Sequence, residues 1–469
     1  MSANRKKLSW KTVSIVLALV CLAMCGLLIS LLGNSMKAEQ ANKGEVETAI
    51  TAYVSGLVTN SNGEPLISSV EIINTSTSEI IRNQTNLLGR YEVLLPVGNY
   101  EFIFSKGFEY ERKSIPVEVE NRLRVSMNKV VLERIVDWSA MGWYPGDLHQ
   151  HTTYSDGYQN VDDVLISNLA NGLDWGVLSD HNTVDSNTEW LQAGRLFSDG
   201  AGLHFVSIPG MEVTTEKGHY NSLGSDRLVD HSVLRDGEDI KRIADEIRAS
   251  GALAQVNHPF LTDGMGFEHW DLIQNFGTFE IWNGKGVTND EANLQAKEKW
   301  FELLNNGIYL PATGGSDNHD ITGLYPWRRE NESDACKLWI ERGLYSGMPR
   351  NYVYLLEDFS SKAVMLAVKE GHLFITNGPL INFELEGVTS GHHIKFDGEC
   401  ELSIRLYDQR GLESAVLIEN GVKIREFDVK GKNEVSITDT VSVTSGSWYV
   451  LEVTGSEGGY AITNPIFVD

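Results

Sequence analysis

Residues 146–157 read Gly-Asp-Leu-His-Gln-His-Thr-Thr-Tyr-Ser-Asp-Gly, an extended segment that ends in a turn. His149 and His151 are two positions apart, so on a strand their imidazoles point to the same side. Two such imidazoles form half of a transition-metal site, and Asp156 in the turn can fold its carboxylate back toward them. An isolated pair of this kind is more often a buried histidine pair, so the interpretation depends on how the later strands end.

Five later apolar segments end in side chains of the same kind. Each end alone has an ordinary structural explanation, such as a helix cap or a buried core histidine. The five ends are Asp180-His181, Glu212 with His219 in the loop after it, Asn257-His258-Pro259, Glu280-Ile281-Trp282-Asn283, and Asp317-Asn318-His319. Their joint occurrence indicates one cup of histidines and carboxylates, whose mutual repulsion bound metal ions would relieve.

Segments with helical spacing separate these strands. Residues 162–171, 237–250 and 290–306 repeat apolar side chains at the helical period. Alternation of strands and helices implies parallel strands, and a closed barrel is a natural way to bury them. Such a barrel brings the carboxyl ends of its strands to one rim, where active sites lie. The sequence therefore predicts an α/β barrel over residues 140–380.

Short alternating runs predict two small β domains beside the barrel. Residues 51–132 contain "SGLVTNSNGEPL" and "TNLLGRYEVLLPVGNYEF", which resemble the carboxypeptidase regulatory-like domain. In that family the module is a β-sandwich that acts as an accessory spacer or interaction domain. Residues 381–469 return to a β pattern and predict a second small β domain.

The N-terminus predicts a membrane anchor. Four basic side chains precede an apolar run over residues 13–32, which is long enough to span a bilayer as a helix. Their position before the run places the body of the protein outside the cytoplasm. We interpret residues 1–33 as an uncleaved single-pass anchor and 34–50 as a stalk. A cleaved signal peptide, with secretion of the body, is the alternative.

Charge and cysteine content exclude several classes of protein. Beyond residue 33 the chain carries 35 Lys and Arg against 64 Asp and Glu, a net charge of −29. Such a surface repels phosphate backbones, so no nucleic-acid partner is expected. Only Cys336 and Cys400 lie beyond the apolar run, so the body is not a disulfide scaffold.

The motifs together resemble the polymerase-and-histidinol-phosphatase (PHP) superfamily. They are H-x-H-x4-D-G, S-D-H, G-x-E, N-H-P and G-S-D-x-H, in this order. "GMEVTTEKGHYNSLG", "EIWNG", "GSDNHD", "GMPRNYV" and "AITNPIFV" are similar to its carbaryl-hydrolase-like (CehA/McbA) branch. The resemblance covers about residues 140–469. It implies a distorted seven-stranded β/α barrel that binds two or three divalent ions, such as zinc, manganese or iron.

The family pattern, transferred position by position, implies three sets of ligands. The first set is His149, His151 and Asp317; Glu212 bridges to a second set, His219 and His258; the third set is Asp156, His181 and His319. Asp156 stands where some relatives have a histidine, which leaves open whether a third ion binds.

Three residues are candidates for further roles in the chemistry. Metal ions would activate a water, and Asp180 or His319 could carry its proton. Arg350, within Gly347-Met348-Pro349-Arg350, is the candidate cation for a phosphate or another oxyanion. No G-x-S-x-G motif and no P-loop motif occurs. Residues 321–347 could form a lid over the rim.

Three functions follow from this sequence. The first is a hydrolase of a small or cell-envelope phosphoester, where the resemblance supplies the phosphoester and the residues supply only the metal-activated water. The second is an enzyme of the same fold that cleaves a carbamate, carboxylic ester or amide. The third is a surface-binding protein that retains its metals without turnover, which the complete ligand set disfavours. The oligomeric state is left open.

Overall fold

The computed structural model of this protein describes residues 51–201, 203–262, 264–284, 290–321, 346–356, 358–395 and 398–469. The predicted anchor and stalk, and nearly all of the predicted lid, lie outside these residues. Within the described ranges, no helix is long and apolar enough to cross a membrane.

The N-terminal module consists of two facing sets of short strands. One sheet has the order β4-β1-β7, with β8 also paired to β1, and the other has the order β3-β2-β5-β6. Tyr100, Phe102 and Phe104, at alternate positions of β5, are buried in the core of this module. The strands are β1 Thr51–Thr59, β2 Ser69–Asn74, β3 Ile80–Gln84, β4 Arg90–Pro96, β5 Gly98–Ser105, β6 Lys113–Val119, β7 Arg124–Ser126 and β8 Val130–Val131.

The central module alternates strands and helices. Its strands are β9 Trp143–Asp147, β10 Trp175–Val177, β11 Val206–Ile208, β12 Gly210–Thr215, β13 Gly218–Leu223, β14 Leu253–Val256, β15 Thr278–Asn283, β16 Ala312–Gly315, β17 Arg350–Tyr354 and β18 Leu373–Thr376. Its helices are α1 Val161–Ala170, α2 Ser186–Ala201, α3 Asp236–Ala249, α4 Glu291–Asn305 and α5 Ser361–Glu370, with a short 3₁₀ turn at Trp270–Asn275. Three of these helices coincide with the segments predicted from apolar spacing; α2 and α5 were not predicted.

Local sequence explains where three of these helices begin. The side chain of Asn160 accepts a hydrogen bond from the amide of Asp163 and so caps α1. Asp290 and Ser360 cap α4 and α5 in the same way.

The strands of the central module belong to two sheets. One contains β11-β10-β9-β17-β18, and the other contains β12-β13-β14-β15-β16. Single bridges join the sheets where their strands end, between His181 and Glu212 and between Gln150 and Asn318. The strand pairing therefore differs from the closed ring of parallel strands that the sequence predicts. The reason is that β13 runs antiparallel to both its neighbours and β17 runs antiparallel to β9.

The C-terminal region forms one sheet of its own and also extends the sheet of the central module that contains β9 and β18. Its strands are β19 Leu380–Leu385, β20 His393–Ile394, β21 Gly398–Tyr407, β22 Leu412–Glu419, β23 Val422–Phe427, β24 Glu434–Val443, β25 Ser447–Gly455, β26 Tyr460–Thr463 and β27 Ile466–Val468. β19, β21 and β24 form a separate sheet, whereas β26 pairs with β18 and continues the central sheet through β25 and β22 to β23. This region thus shares a sheet with the central module.

Candidate metal centre

Nine side chains from different strand ends converge at one place. His149, His151 and Asp156 follow β9, and His181 follows β10. Glu212 lies on β12, His258 follows β14, and Asp317 and His319 follow β16. His219, which the sequence places in a loop, lies on β13, where it is paired with Thr214 of β12.

The nine side chains form four overlapping groups, in each of which the nitrogen and oxygen ligand atoms lie within 4.8 Å of one another. The groups are His149, His151 and Glu212; His149, His258 and Asp317; His181, Glu212 and His219; and His151, Asp156, His181 and His319. All nine residues predicted as ligands belong to at least one group. The overlap means that neighbouring ions would share ligands.

Glu212 occupies the middle of the cluster and is fully buried. Its Oε1 lies 3.2 Å from Nδ1 of His219 and 3.3 Å from Nε2 of His258. Its Oε2 lies 2.9 Å from Nδ1 of His181. Burial alone would raise the pKa of Glu212, but the surrounding histidines, first of all His149, lower it well below its ordinary value. The carboxylate is therefore ionised, and each of its two oxygens can serve as a ligand atom.

Asp317 closes the opposite side of the cluster. Its Oδ1 lies 3.1 Å from Nε2 of His151 and 3.3 Å from Nε2 of His149. Asn283 donates a hydrogen bond of 3.1 Å to the other oxygen. Asp317 has a φ of 51° and His258 a φ of 24°, in the left-handed region that non-glycine residues seldom adopt. Such backbone strain is concentrated at functional sites.

The ring of His149 contacts the carboxylate of Glu280, which is not among the nine predicted ligands. Its Nδ1 lies 3.1 Å from Oε1 of Glu280, so its Nε2 faces Glu212 and Asp317. Burial alone would lower the pKa of His149, but the three carboxylates raise it well above its ordinary value. The cluster therefore concentrates negative charge that a cation would balance.

Asp156 forms the outer edge of the cluster. Its Oδ1 lies 3.1 Å from Nε2 of His319 and 3.4 Å from Nε2 of His181, and its side chain is 59% exposed. The Nδ1 of His319 is 3.0 Å from the carbonyl oxygen of Asp317, a contact that leaves Nε2 directed to Asp156.

The donor set fits divalent transition metals. Three buried imidazole nitrogens, His149 Nε2, His151 Nδ1 and His258 Nδ1, have no hydrogen-bond partner. An unsatisfied buried polar atom costs about 1–3 kcal/mol, so three in one cluster require an explanation. Imidazole nitrogens with carboxylate oxygens are ligands that zinc, iron and manganese accept.

Asp180 and Arg350, which were predicted to take part in the chemistry, belong to none of the four ligand groups. Asp180 is fully buried and accepts hydrogen bonds from the amide and hydroxyl of Thr152, at 2.7 and 2.8 Å, and from the hydroxyl of Ser155 at 2.8 Å. It therefore holds the turn that leads to Asp156. Arg350 donates to the carbonyl oxygens of Gly347 and Asn171, contacts that lie outside the cluster.

Three residues that support the ligands were placed at strand ends by the sequence but were given no role. They are Glu280, Asn257, which donates a hydrogen bond of 2.8 Å to Glu212, and Asn283. Every residue of β15 is buried, so the carboxylate of Glu280 within "TFEIWN" was the signal that could have identified it. A buried carboxylate in an otherwise apolar strand needs partners of its own.

No known family model matches the chain, and no curated protein sequence matches it. Among solved structures, the chain is similar to a two-domain protein of Bacteroides vulgatus that contains a predicted PHP-like metal-dependent phosphoesterase. That similarity has 18% identity and a TM-score of 0.39, and it covers 67% of this chain and 92% of the other.

Two further structures are similar over shorter parts of the chain. A protein of Bifidobacterium adolescentis, proposed to be a metal-dependent phosphoesterase, is 15% identical over 42% of this chain and 96% of its own, with a TM-score of 0.28. An amidohydrolase of Chromobacterium violaceum is 16% identical over 37% of this chain and 87% of its own, with a TM-score of 0.25. At these scores the similarities carry no argument about activity.

Proposed function

We propose that this protein is a metal-dependent hydrolase of the PHP type, with a phosphoester as its first candidate substrate. One observation carries the proposal: nine histidine and carboxylate side chains form four groups with ligand atoms within 4.8 Å, and three buried imidazole nitrogens among them have no hydrogen-bond partner. A structural role alone does not account for buried imidazoles left unsatisfied in this number.

The nine residues would hold two or three divalent ions, such as zinc, manganese or iron. Glu212, which faces histidines on both of its oxygens, is the natural shared ligand. His149, His151 and Asp317 would complete one site, His219 and His258 a second, and Asp156, His181 and His319 a third. When bound, such ions supply Lewis acidity and lower the pKa of water toward neutrality.

The chain's own residues would position the ligands and move the proton. Asp180 fixes the turn that carries Asp156 through its three hydrogen bonds. Asp156 and His319 connect the buried cluster to solvent, since the Asp156 side chain is 59% exposed and the His319 side chain 8% exposed. When only two ions are bound and the third site is empty, this pair is the route by which a proton would leave the centre, whereas Asp180 has its oxygens occupied.

A neutral ester, carbamate or amide is the second candidate substrate, and one observation favours it. Within the part of the chain that the structure describes, no arginine or lysine forms an ion pair with any of the nine residues. Among the described residues, none would then add to the charge of the metal ions in balancing a phosphoester, whereas a neutral ester needs no further cation.

The test is metal analysis followed by a substrate screen on the full-length chain. We expect two or three tightly bound transition-metal ions per chain, and fewer than one would overturn the proposal. Phosphomonoesters, phosphodiesters and carboxylic esters are then compared for the wild type, Glu212→Gln and the control His393→Ala, which changes an exposed histidine outside the cluster. Equal activity in Glu212→Gln would show that the centre is not the active site.

The proposed location is the outer face of a cell membrane, with residues 1–33 as the anchor. Support for it comes only from the basic residues that precede the apolar run. Protease added to intact cells should release the body of the protein; protection of the body from protease would contradict this location.

A further inference from the structure

We propose that Glu280 is the positioning residue of the metal centre, the group that orients His149 and fixes the backbone of His258 for metal binding. This inference rests on the proposed function and adds to it a residue outside the ligand set. The contact of Glu280 with two ligands at once is the observation behind it.

The first contact fixes the tautomer of His149. Oε1 of Glu280 lies 3.1 Å from Nδ1 of His149, and both side chains are fully buried. A carboxylate can only accept, so Nδ1 carries a proton, and in the neutral ring that a metal ion requires Nε2 is the nitrogen left to bind the ion. Nε2 is the atom that faces Glu212 and Asp317 and lacks a hydrogen-bond partner. Carboxylates behind metal-binding histidines orient the ring and increase its basicity.

The second contact holds His258 in its unusual backbone conformation. The amide of His258 donates a hydrogen bond of 2.7 Å to Oε2 of Glu280. Because the φ of His258 is 24°, this residue needs an outside restraint to keep its conformation. The same oxygen accepts from Asn283 at 3.3 Å, and Asn283 also donates to Asp317. Glu280 thereby links ligands from three strand ends.

The surroundings of Glu280 are shaped to allow this contact. A Cβ at position 315 would collide with Oε1 of Glu280 and with Cβ of His149, so only glycine permits their approach. Both oxygens of Glu280 receive donors, one from a ring and one from a backbone amide. A glutamine has one acceptor oxygen, and whichever way it turns, its amino group meets one of these donors. A carboxylate is therefore required at this position.

The test is the affinity of the full-length protein for Zn²⁺, measured by competition with a chromogenic chelator. We expect Glu280→Gln to weaken binding of the most tightly held ion by about 10–100-fold, the usual loss for a residue behind a metal ligand. The matched control is Asp239→Asn, since Asp239 is also a buried carboxylate that accepts two backbone amides, at the start of α3. That control should bind Zn²⁺ with wild-type affinity.

A double-mutant comparison separates positioning from general loss of structure. If Glu280 acts through His149, the loss caused by Glu280→Gln should shrink when His149→Ala is already present. Thermal melts of the metal-free variants check that each one folds. Wild-type affinity in Glu280→Gln, an equal loss in Asp239→Asn, or full additivity with His149→Ala would each overturn the proposal. A wild type that binds Zn²⁺ but hydrolyses nothing would refute the proposed function and leave this inference intact.

Discussion

The guanidinium carbon of Arg350 lies 4.0 Å from the centroid of the Phe108 ring. Phe108 follows β5 of the N-terminal module, whereas Arg350 begins β17 of the central module. Arg350 is 1% exposed and also donates to the carbonyl oxygens of Gly347 and Asn171. The cation therefore fastens the two modules together.

Replacement of Arg350 should affect stability and leave catalysis unchanged. We expect Arg350→Met to lower the free energy of unfolding by about 2–4 kcal/mol, because it removes charged hydrogen bonds and a cation–π contact. Urea unfolding measures the loss, and kcat/KM of the folded fraction should equal that of the wild type. Arg405→Met is the control, since Arg405 stacks on Trp138 at a more exposed position. A raised KM with unchanged stability would restore the role in substrate binding predicted from sequence.

Asp156→Asn tests the third metal site. Because Asp156 is the only exposed member of its group, we expect the variant to lose one ion per chain and to keep the others. Metal content measured by inductively coupled plasma mass spectrometry reports the change. Asp185→Asn, at an exposed position four residues after His181, should keep every ion. An unchanged ion count in Asp156→Asn would mean that Asp156 holds no metal.

Removal of the metals should destabilise the protein. Ions that bind only the folded state stabilise it by about 2.7 kcal/mol when their free concentration is 100 times the Kd. A chelator should therefore lower the Tm, and added Zn²⁺ or Mn²⁺ should restore it. The same experiment on His149→Ala should give a smaller shift. A Tm that is indifferent to chelator would contradict tight binding at the buried cluster.

Asp174 should make stability depend on pH. Burial, reinforced by the nearby charge of Glu109, raises the pKa of Asp174 to about 7. Between about pH 4 and 7 the folded protein then binds more protons than the unfolded chain, so stability falls as pH rises through this window. Lys106, whose pKa burial lowers to about 8, titrates above it.

The measurement is the difference in stability between the wild type and Asp174→Asn, both loaded with metal. Relative to the variant, the wild type should lose about 2–4 kcal/mol between pH 4 and pH 7.5. The difference should become constant below about pH 3, where the carboxyl group is protonated in both states. A difference that stays flat across the window would show that Asp174 is ionised in the folded protein at low pH.

The chemistry of the cluster was predictable from the sequence because it depends on local patterns. His149 and His151 point the same way on any extended segment, and the polar ends of successive apolar strands predict convergence. Three of the helices followed from apolar spacing for the same local reason. The set of nine ligands came from the resemblance to the PHP superfamily, and these are side chains that the structure brings together.

Only the tertiary structure decided what surrounds those side chains. His219 lies on an antiparallel strand and not in a loop, because strand direction is set by pairing with partners distant in sequence. Arg350 follows the cluster in sequence, yet it is drawn to Phe108, which is 242 positions earlier. Glu280 and Asp180 acquire their roles from hydrogen bonds across strands, at sequence separations of 131 to His149 and 28 to Thr152. Local patterns specify which groups a chain carries, whereas the partners of a buried charge depend on packing between distant segments.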